Sequence, residues 1–373
     1  MMGRPRLDPT KPLVPPLRIP SLEEAEHAYT INGYNLISDT FTLPTPAQRT
    51  AMATAICGDA VFGSDEPTRL LEDTVAALAG KEASIFLPSG TLSNQLAVHA
   101  HISRIGGPSS ILCDCRSHIY CHETGGLAYH SRCMTQAIMP KNGHHLCLED
   151  VAAGAVLNED QHAAPTRVVS LENTLNGTIM PQGEIVRISE WVHTHGLALH
   201  LDGARIWNVA AETSTPLDVL CAPFDTVSMC LSKGMGAPVG TVLVGRASLI
   251  RRVHTFRKLF GGGMRQTGVL ANAALVSLHD IFPKLRATHE LARRCAAMMQ
   301  AHSIPLTVPT ETNMVWIDPA AASISPAAFA ERAKALTPSI HLLPSRLVFH
   351  HQVHEDIVER LASVLDALQG RTE

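Results

Sequence analysis

The feature that most constrains the fold of this chain is a series of short apolar segments separated by stretches with helical spacing. Segments of this kind, apolar at most positions and rich in β-branched residues, are typical of strands buried on both faces of a mostly parallel sheet. The sequence therefore predicts an α/β fold in which helices flank a buried sheet. The predicted strands cover residues 83–87, 111–113, 167–171, 198–201, 226–231 and 241–244.

Capping residues and helical spacing predict the segments between the strands. Thr45 is a candidate N-cap for a helix over residues 46–56. Gly80 and Gly196 each follow a predicted helix, as expected of residues that end helices. The remaining predictions are helices over residues 21–32, 66–79, 91–103, 184–195, 268 to about 302, and 352–368, and strands over residues 314–317 and 346–349.

The length of 373 residues exceeds what one hydrophobic core usually supports, so we expect two domains. We assign residues 36–280 to a large domain and residues 281–373 to a smaller C-terminal α/β domain. Six prolines fall within residues 1–20. Residues 1–35 are therefore interpreted as an N-terminal arm that is either disordered or lies on a neighbouring subunit.

Composition argues against several classes of partner. The net charge is −4 and no basic face stands out, so we expect no nucleic acid. No apolar run has the length of a membrane span, so we expect no membrane. The nine cysteines, an odd number in a long chain, favour reduced thiols and a cytoplasmic location over a disulfide framework.

Two of the predicted strands end in residues that carry chemistry. Lys233 follows the strand over residues 226–231, and Asp202 follows the strand over residues 198–201. Because ligands of parallel sheets bind beyond the carboxyl ends of the strands, we expect both side chains at one site. A lysine that forms a Schiff base and a carboxylate that pairs with a pyridinium nitrogen are what pyridoxal 5'-phosphate (PLP) requires. The sequence therefore predicts a PLP site.

The segment Ser89-Gly90-Thr91 links a strand to a helix and is a candidate phosphate site. A helix N-terminus offers free N–H groups and partial positive charge, Gly90 permits close approach, and the two hydroxyls add donors. Ser232 is a candidate additional donor. Residues 261–265 are interpreted as the source of a cation, Arg265, or as a glycine hinge between domains, and both interpretations can hold together.

A cluster of cysteines and histidines resembles a zinc site in ligand type but not in spacing. No second Cys-x-x-Cys pair completes it, and residues 111–114 are better explained as a strand end, so we expect no metal. The histidines at 144–145, 193, 195 and 350–351 are interpreted as surface or helix-end residues. The cluster consists of Cys113, Cys115, His118, Cys121 and His122.

Seven motifs occur in order between residues 36 and 350. They are Ser38-Asp39-Thr40, Gly58-Asp59-Ala60-Val61-Phe62-Gly63, Phe86-Leu87-Pro88-Ser89-Gly90-Thr91, Ser170-Leu171-Glu172-Asn173-Thr174, His200-Leu201-Asp202-Gly203-Ala204-Arg205, residues 231–240 around Lys233, and Gly261-Gly262-Gly263-Met264-Arg265-Gln266. In order and spacing they closely resemble the motifs of the L-threonine aldolase family, of the low-specificity or L-allo-threonine type. That family belongs to the fold-type I PLP enzymes, the β-eliminating lyase superfamily.

The resemblance implies a large domain with a mostly parallel seven-stranded sheet and a smaller α/β domain. It implies an aldolase that cleaves the Cα–Cβ bond of L-threonine, L-allo-threonine or a related β-hydroxy-α-amino acid, giving glycine and an aldehyde. The implied assembly is a homotetramer, a dimer of dimers with shared active sites. Two other PLP reactions stay open, alanine racemisation and a secondary-metabolite aldol condensation, as does a binding protein without enzyme activity.

The resemblance also implies roles for single residues. Lys233 matches the lysine that forms the Schiff base, Asp202 matches the partner of the ring nitrogen, and His118 matches the histidine that stacks on the ring. Many bacterial members carry a second histidine where this chain has Leu175, and many members carry a tyrosine where it has Phe62. The two departures leave the preferred diastereomer open. They make His118 the candidate base, and a stacking role alone is its alternative.

The remaining matches concern the phosphate and the substrate. The segment Ser89-Gly90-Thr91 matches the phosphate loop. Ser38 and Arg346 match the groups that grip the substrate carboxylate, and Arg205 matches a cation that serves cofactor and substrate. Arg265 resembles the arginine that a neighbouring subunit contributes.

Overall fold

A computed structural model of the chain describes residues 18–103, 105–158 and 161–370. Most of the proline-rich segment of the expected N-terminal arm, residues 1–17, lies outside the described residues. The next segment forms helix α1 (Leu22–Ile31), which begins with a reciprocal cap. The Ser21 hydroxyl accepts a hydrogen bond from the Glu24 N–H, and the Glu24 carboxylate accepts one from the Ser21 N–H.

A seven-stranded sheet forms the centre of the larger part of the molecule. Its strands are β1 (Ala83–Leu87), β2 (Ser110–Asp114), β3 (Met134–Ile138), β4 (Thr166–Glu172), β5 (Ala198–Asp202), β6 (Thr226–Cys230) and β7 (Thr241–Gly245). Their order across the sheet is β1-β7-β6-β5-β4-β2-β3. Strand β7 is antiparallel to β1 and β6, and the other pairs are parallel. The mostly parallel sheet that we expected is confirmed.

The apolar pattern does not predict strand β3. This strand forms one edge of the sheet and pairs with β2 alone. Its residues are partly exposed, Met134 to 58%, and it includes Thr135 and Gln136. An edge strand with incomplete cover needs no continuous apolar run, and such a run is what predicts the central strands.

Helices pack on both sides of the sheet. Thr45 caps the helix that follows it, as predicted, through a hydrogen bond from the Gln48 N–H to its hydroxyl. The helices of this part are α2 (Pro46–Ala53), α3 (Glu66–Leu78), α4 (Gly90–Ile102), α5 (His118–Cys121), α6 (Leu148–Gly154), α7 (Gln182–Thr194), α8 (Ile206–Thr213), α9 (Leu217–Cys221), α10 (Ala247–Leu259) and α11 (Gly268–Asp280). The ends of α2, α3, α4 and α7 lie within a few residues of the predicted ones, whereas α5, α6, α8, α9 and α10 were not predicted.

A smaller antiparallel sheet forms a second layer with its own apolar core. Its strands are β8 (Leu306–Val308), β9 (Met314–Ile317) and β10 (Arg346–Val348), in the order β10-β9-β8. The helices of this layer are α12 (Leu285–Ala301), α13 (Pro326–Lys334) and α14 (Ile357–Gln369). Tyr34 and Leu36 join this core from the N-terminal side. The domain boundary at residue 280 stays a prediction.

The helical stretch predicted from residue 268 to about 302 is divided in two. Helix α11 ends at Asp280 and α12 begins at Leu285, with a 3-10 turn, Phe282–Lys284, between them. Pro283 lies inside this turn, where its ring and missing N–H interrupt a continuous α-helix. None of the helices in the described ranges is both long and apolar enough to cross a membrane.

Candidate active site

The register of the sheet brings the predicted site residues together at the carboxyl-terminal ends of its parallel strands. Glu172 at the end of β4 pairs with Asp202 at the end of β5, and Asp202 pairs with Ser228 of β6. On the other side of β6, Cys230 pairs with Thr241, which pairs with Leu87 at the end of β1. Lys233 and the segment Ser89-Gly90-Thr91 therefore follow strands that end on the same side of the sheet as the strand of Asp202.

The loop that carries Lys233 is held by its own backbone. The Leu231 N–H donates to the Gly240 carbonyl, and the Gly236 N–H donates to the Lys233 carbonyl at 2.8 Å. Gly236 has a φ of +75°, and the His351 ring occupies the space where a Cβ would lie. A residue with a side chain would be strained and blocked there, which explains the glycine. Ser232 is half-buried beside Lys233.

Asp202 is a buried carboxylate, 3% exposed, whose hydrogen-bond donors are neutral. Asn94 Nδ2 donates to its Oδ2 at 2.8 Å, and the Ala204 N–H donates to its Oδ1 at 3.1 Å. Within the described ranges, no lysine, arginine or histidine forms an ion pair with Asp202. A buried carboxylate that is bound only by neutral donors suits a positively charged partner, such as a protonated ring nitrogen.

His118 begins helix α5 and is held by two acids. Its backbone N–H donates to Glu172 Oε2 at 2.7 Å, and its ring Nδ1 lies 3.0 Å from Glu123 Oε1. The ligand-type atoms of His118, Glu123 and Asp202 all lie within 4.8 Å of one another. The structure therefore brings His118 to the carboxylate that we assigned to the ring nitrogen.

Glu172 is the most strongly perturbed acid of the site. Burial, together with the negative charge of Asp202, raises its pKa to about 8. The hydrogen bond from the His118 N–H and the charge of Lys233 lower this pKa but do not offset burial. A carboxylic acid with such a pKa is mostly protonated at neutral pH. Glu172 therefore adds little negative charge near Lys233.

Asp39 and Arg205 form a buried ion pair on another side of Lys233. Arg205 Nε and Nη2 donate to the two Asp39 oxygens at 2.9 Å and 2.6 Å. Burial raises the pKa of Asp39, but the Arg205 charge and its hydrogen bonds outweigh burial, and the pKa falls to about 2. Asn313 Nδ2 lies 3.3 Å from the same carboxylate. Arg205, assigned from the sequence to cofactor and substrate, is thus held by Asp39.

Arg346 lies near this pair and keeps unused hydrogen-bonding capacity. Its Nη2 donates to the Ile37 carbonyl at 3.1 Å, and its guanidinium lies 5.6 Å from the centre of the Trp316 ring. Its buried Nε has no hydrogen-bond partner among the described residues. The neighbouring Ser38 hydroxyl accepts from the Thr40 N–H at 3.2 Å. An arginine with a free N–H beside a hydroxyl suits a carboxylate ligand.

Ser89 caps the N-terminus of helix α4, which follows strand β1. Its hydroxyl accepts a hydrogen bond from the Leu92 N–H at 3.2 Å. A Cβ on Gly90 would lie 2.9 Å from Cys230 Sγ, so this close approach to β6 requires glycine. The first N–H groups of an α-helix have no partner within the helix, which leaves those of Gly90 and Thr91 for an anion.

Arg265 and Phe62, both named in the sequence analysis, are exposed. Arg265 is 57% exposed and donates to Asp59 Oδ2 at 2.8 Å. Phe62, on the same loop as Asp59, is 80% exposed. Leu175, in contrast, is 7% exposed and lines a small cleft with Glu172, His144 and other residues.

The cysteines considered as zinc ligands from the sequence make other contacts. Cys113 is buried in β2, and Cys121 Sγ donates to the Cys115 carbonyl at 3.0 Å. All nine cysteines of the chain are free thiols.

Sequence reasoning missed the polar residues behind the site, chiefly Asn94 and Glu123. Asn94 Nδ2 donates to Glu123 Oε1 at 2.9 Å, and Gln95 Nε2 donates to Glu123 Oε2 at 2.6 Å. The signal was the pair of adjacent amides Asn94-Gln95 in the helix directly after the phosphate segment. Buried amides in a helix need partners, and here the partners are site carboxylates.

These observations fit PLP. Asp202 is buried and bound by neutral donors, the N-terminus of α4 offers free N–H groups, and Arg346 has a buried N–H to donate. The donors and acceptors match a ring nitrogen, a phosphate and an amino-acid carboxylate.

The family model described as Beta-eliminating lyase matches residues 35–322 of the chain. The low specificity L-threonine aldolase of Saccharomyces cerevisiae is 46% identical over 335 residues, 89% of this chain and 86% of the yeast protein. The alanine racemase TOXG of Cochliobolus carbonum is 35% identical over 335 residues, 88% of this chain and 85% of that protein. A solved structure of a Leishmania major threonine aldolase has a TM-score of 0.76 at 20% identity, covering 90% of this chain and 99% of that chain.

At 20% identity, the likeness to the Leishmania structure supports only the fold. That fold is the fold-type I architecture that the resemblance implies. The family model spans more than half of the chain, and the yeast relative is similar over nearly all of it. The resemblance inferred from the motifs is confirmed, and the chain belongs to the β-eliminating lyase family.

Proposed function

We propose that this protein is a PLP-dependent aldolase. It cleaves the Cα–Cβ bond of L-threonine, L-allo-threonine or a related β-hydroxy-α-amino acid and releases glycine and an aldehyde. The observation that carries the proposal is the buried Asp202 carboxylate, bound by neutral donors. It shares the carboxyl-terminal side of the large sheet with Lys233, and Arg346 lies close to the Asp39–Arg205 pair. The yeast relative's name as a low specificity L-threonine aldolase supports the same substrate class.

The residues that would hold PLP follow from their positions. Lys233 would supply the amine for the covalent link, Asp202 would accept a hydrogen bond from the ring nitrogen, and His118 would stack on the ring. Bound PLP supplies a conjugated ring that withdraws the electron pair released when the Cα–Cβ bond breaks. The groups that we assign to the phosphate are Ser89, Gly90, Thr91 and Ser232. Arg265 of a neighbouring subunit is assigned to the cofactor, and Arg205, held by Asp39, to the side where cofactor and substrate meet.

Arg346 and Ser38 orient the amino acid by its carboxylate. The free Nε–H of Arg346 and the Ser38 hydroxyl are the donors for this contact. An arginine fork holds a carboxylate in a fixed plane, which fixes the direction of the Cα–Cβ bond. Because Arg205 is already occupied by Asp39, Arg346 is the cation that remains for the substrate.

His118 takes the proton of the β-hydroxyl group. Glu123 lies 3.0 Å from Nδ1, so a carboxylate that can only accept holds the proton on Nδ1. Nε2 then carries a lone pair, as a general base requires. Leu175 has no group that can serve as the base, and His144 in the same cleft is bound to Glu311, so we assign the role of base to His118.

The His118→Phe variant separates a base from a stacking platform. Phenylalanine keeps an aromatic face, so a stacking role alone predicts a modest loss of kcat. A base predicts a loss of about 100-fold or more. The His118→Asn variant, which keeps a polar group but loses both the base and the aromatic face, should lose at least as much.

We further propose that the enzyme is cytoplasmic and assembles as a homotetramer with shared active sites. The free state of all nine thiols supports a reducing compartment. The exposed Arg265 and Phe62 lie on neighbouring loops joined by the hydrogen bond from the Ala60 N–H to the Arg265 carbonyl. They are available to a second subunit.

Subunit mixing tests the shared site. Lys233→Ala and Arg265→Ala should each be nearly inactive alone. If Arg265 serves the neighbour's site, mixed oligomers contain one site with both native residues and regain part of the activity. Activity that stays at the level of the two parents contradicts a shared site.

A product assay tests the reaction. The purified protein is incubated with PLP and with L-threonine, L-allo-threonine or L-alanine, and glycine, acetaldehyde and D-alanine are measured. We expect glycine and acetaldehyde in equal amounts from at least one threonine diastereomer. D-alanine without acetaldehyde would favour racemisation, the activity named for the Cochliobolus relative. A protein that takes up no PLP, or whose colour persists in Lys233→Ala, contradicts the proposal.

A further inference from the structure

A chain of hydrogen bonds leads from Asp202 into the sheet. Asn94 Nδ2 donates to Asp202 Oδ2 at 2.8 Å and to Glu123 Oε1 at 2.9 Å. Asn94 Oδ1 lies 3.1 Å from His200 Nε2, and His200 Nδ1 lies 2.9 Å from Thr226 Oγ1. Every residue of this chain is at most 4% exposed. No step of the proposed reaction uses His200.

The direction of each hydrogen bond follows from the chemistry of the groups. Two carboxylates accept from Asn94, so its NH₂ group faces them and its carbonyl oxygen faces His200. Burial lowers the pKa of His200 to about 4, so at neutral pH its ring is neutral, with one donor and one acceptor nitrogen. Nε2 therefore donates to Asn94, and Nδ1 accepts from the Thr226 hydroxyl.

The chain continues in the same direction beyond Thr226. Its hydroxyl gives its proton to His200 and accepts from His101 Nε2, 3.0 Å away. All the donors thus point towards Asp202 and Glu123. Hydrogen bonds aligned in this way polarise one another, so the donor strength of Asn94 depends on the groups behind it.

We propose that His200 is a positioning residue which, through Asn94, orients the carboxylates of Asp202 and Glu123. The inference rests on the proposed function, because Asp202 would face the ring nitrogen of PLP and Glu123 holds His118. Without the donor of His200, the carbonyl oxygen of Asn94 is buried and unsatisfied, and its NH₂ group is less polarised and less firmly held against the two carboxylates. With a weaker donor, the Asp202 carboxylate would compete more strongly for the proton that it would share with the ring nitrogen of PLP.

Two polar variants of His200 separate this role from a structural one. In His200→Gln the side-chain amide extends about as far as ring Nε2, so it still donates to Asn94. In His200→Asn the amide lies near the position of Nδ1 and contacts Thr226 but is too short for Asn94. Both variants keep a buried polar group of similar volume, and they differ in the contact that the proposal requires.

The measurement is the pH midpoint of the visible absorbance of bound PLP in the full-length holoenzyme. A protonated ring nitrogen lowers the proton affinity of groups conjugated with the ring. Loss of that proton in His200→Asn should raise the midpoint by about one unit, the size of one charge-assisted hydrogen bond. His200→Gln should stay within about 0.3 unit of the wild type. We expect kcat to fall about tenfold in His200→Asn with little change in KM.

Equal midpoints in the wild type and both folded variants overturn the inference and leave the proposed function intact. So does an equal shift in His200→Gln and His200→Asn, because the contact to Asn94 then has no influence. If His200→Asn does not fold, Thr226→Val replaces it: it removes the hydroxyl that fixes the His200 tautomer and should raise the midpoint by about half a unit. A wild-type protein that binds no PLP refutes the proposed function, and the inference with it.

Discussion

Asp39 and Glu172 are two acids near Lys233 whose acidities are shifted in opposite directions. Burial raises the pKa of both. At Asp39 the Arg205 guanidinium outweighs burial and lowers the pKa to about 2. At Glu172 the charge of Asp202 adds to burial, and the pKa rises to about 8. The comparison shows that the charge of the nearest partner, more than burial, decides which acid of this site is ionised.

The two acids give the site two unlike ends. At one end, the Asp39 charge is matched by Arg205, and Arg346 remains for the carboxylate of an amino acid. At the other end, a neutral Glu172 lies beside Leu175, at a cleft lined by both. A charged end and a neutral end suit a substrate that carries a carboxylate on one side and an uncharged β-substituent on the other.

The largest effect is expected when the charged end loses its cation. Arg205→Met leaves Asp39 buried without a positive partner, and we expect the free energy of unfolding at pH 7 to fall by about 3–5 kcal/mol. Urea denaturation of the apoenzyme measures the loss. Asp39→Asn combined with Arg205→Met removes the unpaired charge and should recover part of it.

The pH dependence of Arg205→Met sharpens the comparison. In the wild type, the lowered pKa of Asp39 gives stability that is present above the unfolded value of 3.8 and lost as the pH falls through about 2. Without Arg205, burial is opposed only by the weaker influence of Lys233 and His350, so stability should instead fall as the pH rises above about 4. An unchanged slope would mean that Arg205 does not control the ionisation of Asp39.

The next effect concerns the substrate carboxylate. Arg346→Leu should raise KM for the amino acid roughly 100-fold, because a charge-assisted contact is lost. Binding of PLP should change little, since Arg346 lies at the substrate end. Titration of the cofactor and steady-state kinetics measure the two quantities. Loss of PLP with unchanged KM would assign Arg346 to the cofactor instead.

Glu172 gives a smaller effect of opposite sign to that of Asp39. Its raised pKa means that stability is fully present below the unfolded value of 4.5 and is lost as the pH rises through about 8. In Glu172→Gln this group no longer titrates. The apoenzyme should then lose on the order of 2 kcal/mol less between pH 5 and 8 than the wild type does.

Glu72 offers a matched control for this measurement. It lies on α3, accepts a hydrogen bond from the Phe86 N–H, and burial raises its pKa to about 7. Glu72→Gln should also flatten the pH dependence of stability but leave that of kcat unchanged. If the two variants cannot be distinguished by their kinetics, Glu172 has no special relation to the site.

The extent of prediction from sequence differs between the two ends. The apolar strands predicted the sheet, and the residues that follow two of them, Asp202 and Lys233, could be assigned to one site. The resemblance to the family supplied Arg205 and Arg346. The perturbed pKa of Glu172 could not be predicted, because it arises from burial and a through-space charge. The same holds for Asn94, whose partners are distant in the chain. Edge strand β3 escaped prediction because its partial exposure permits polar residues.

The smallest effect is expected at the neutral end. Leu175→His restores the imidazole that many bacterial family members carry, in a position 7% exposed beside Glu172 and His144. A neutral imidazole can hydrogen-bond the substrate hydroxyl in one diastereomer better than in the other. We expect the ratio of kcat/KM for L-allo-threonine and L-threonine to change by up to about tenfold, or 1.4 kcal/mol. Leu175→Met, which keeps the volume and adds no strong donor, is the control. A ratio that changes equally in both variants would show that shape, rather than hydrogen bonding, governs this end of the site.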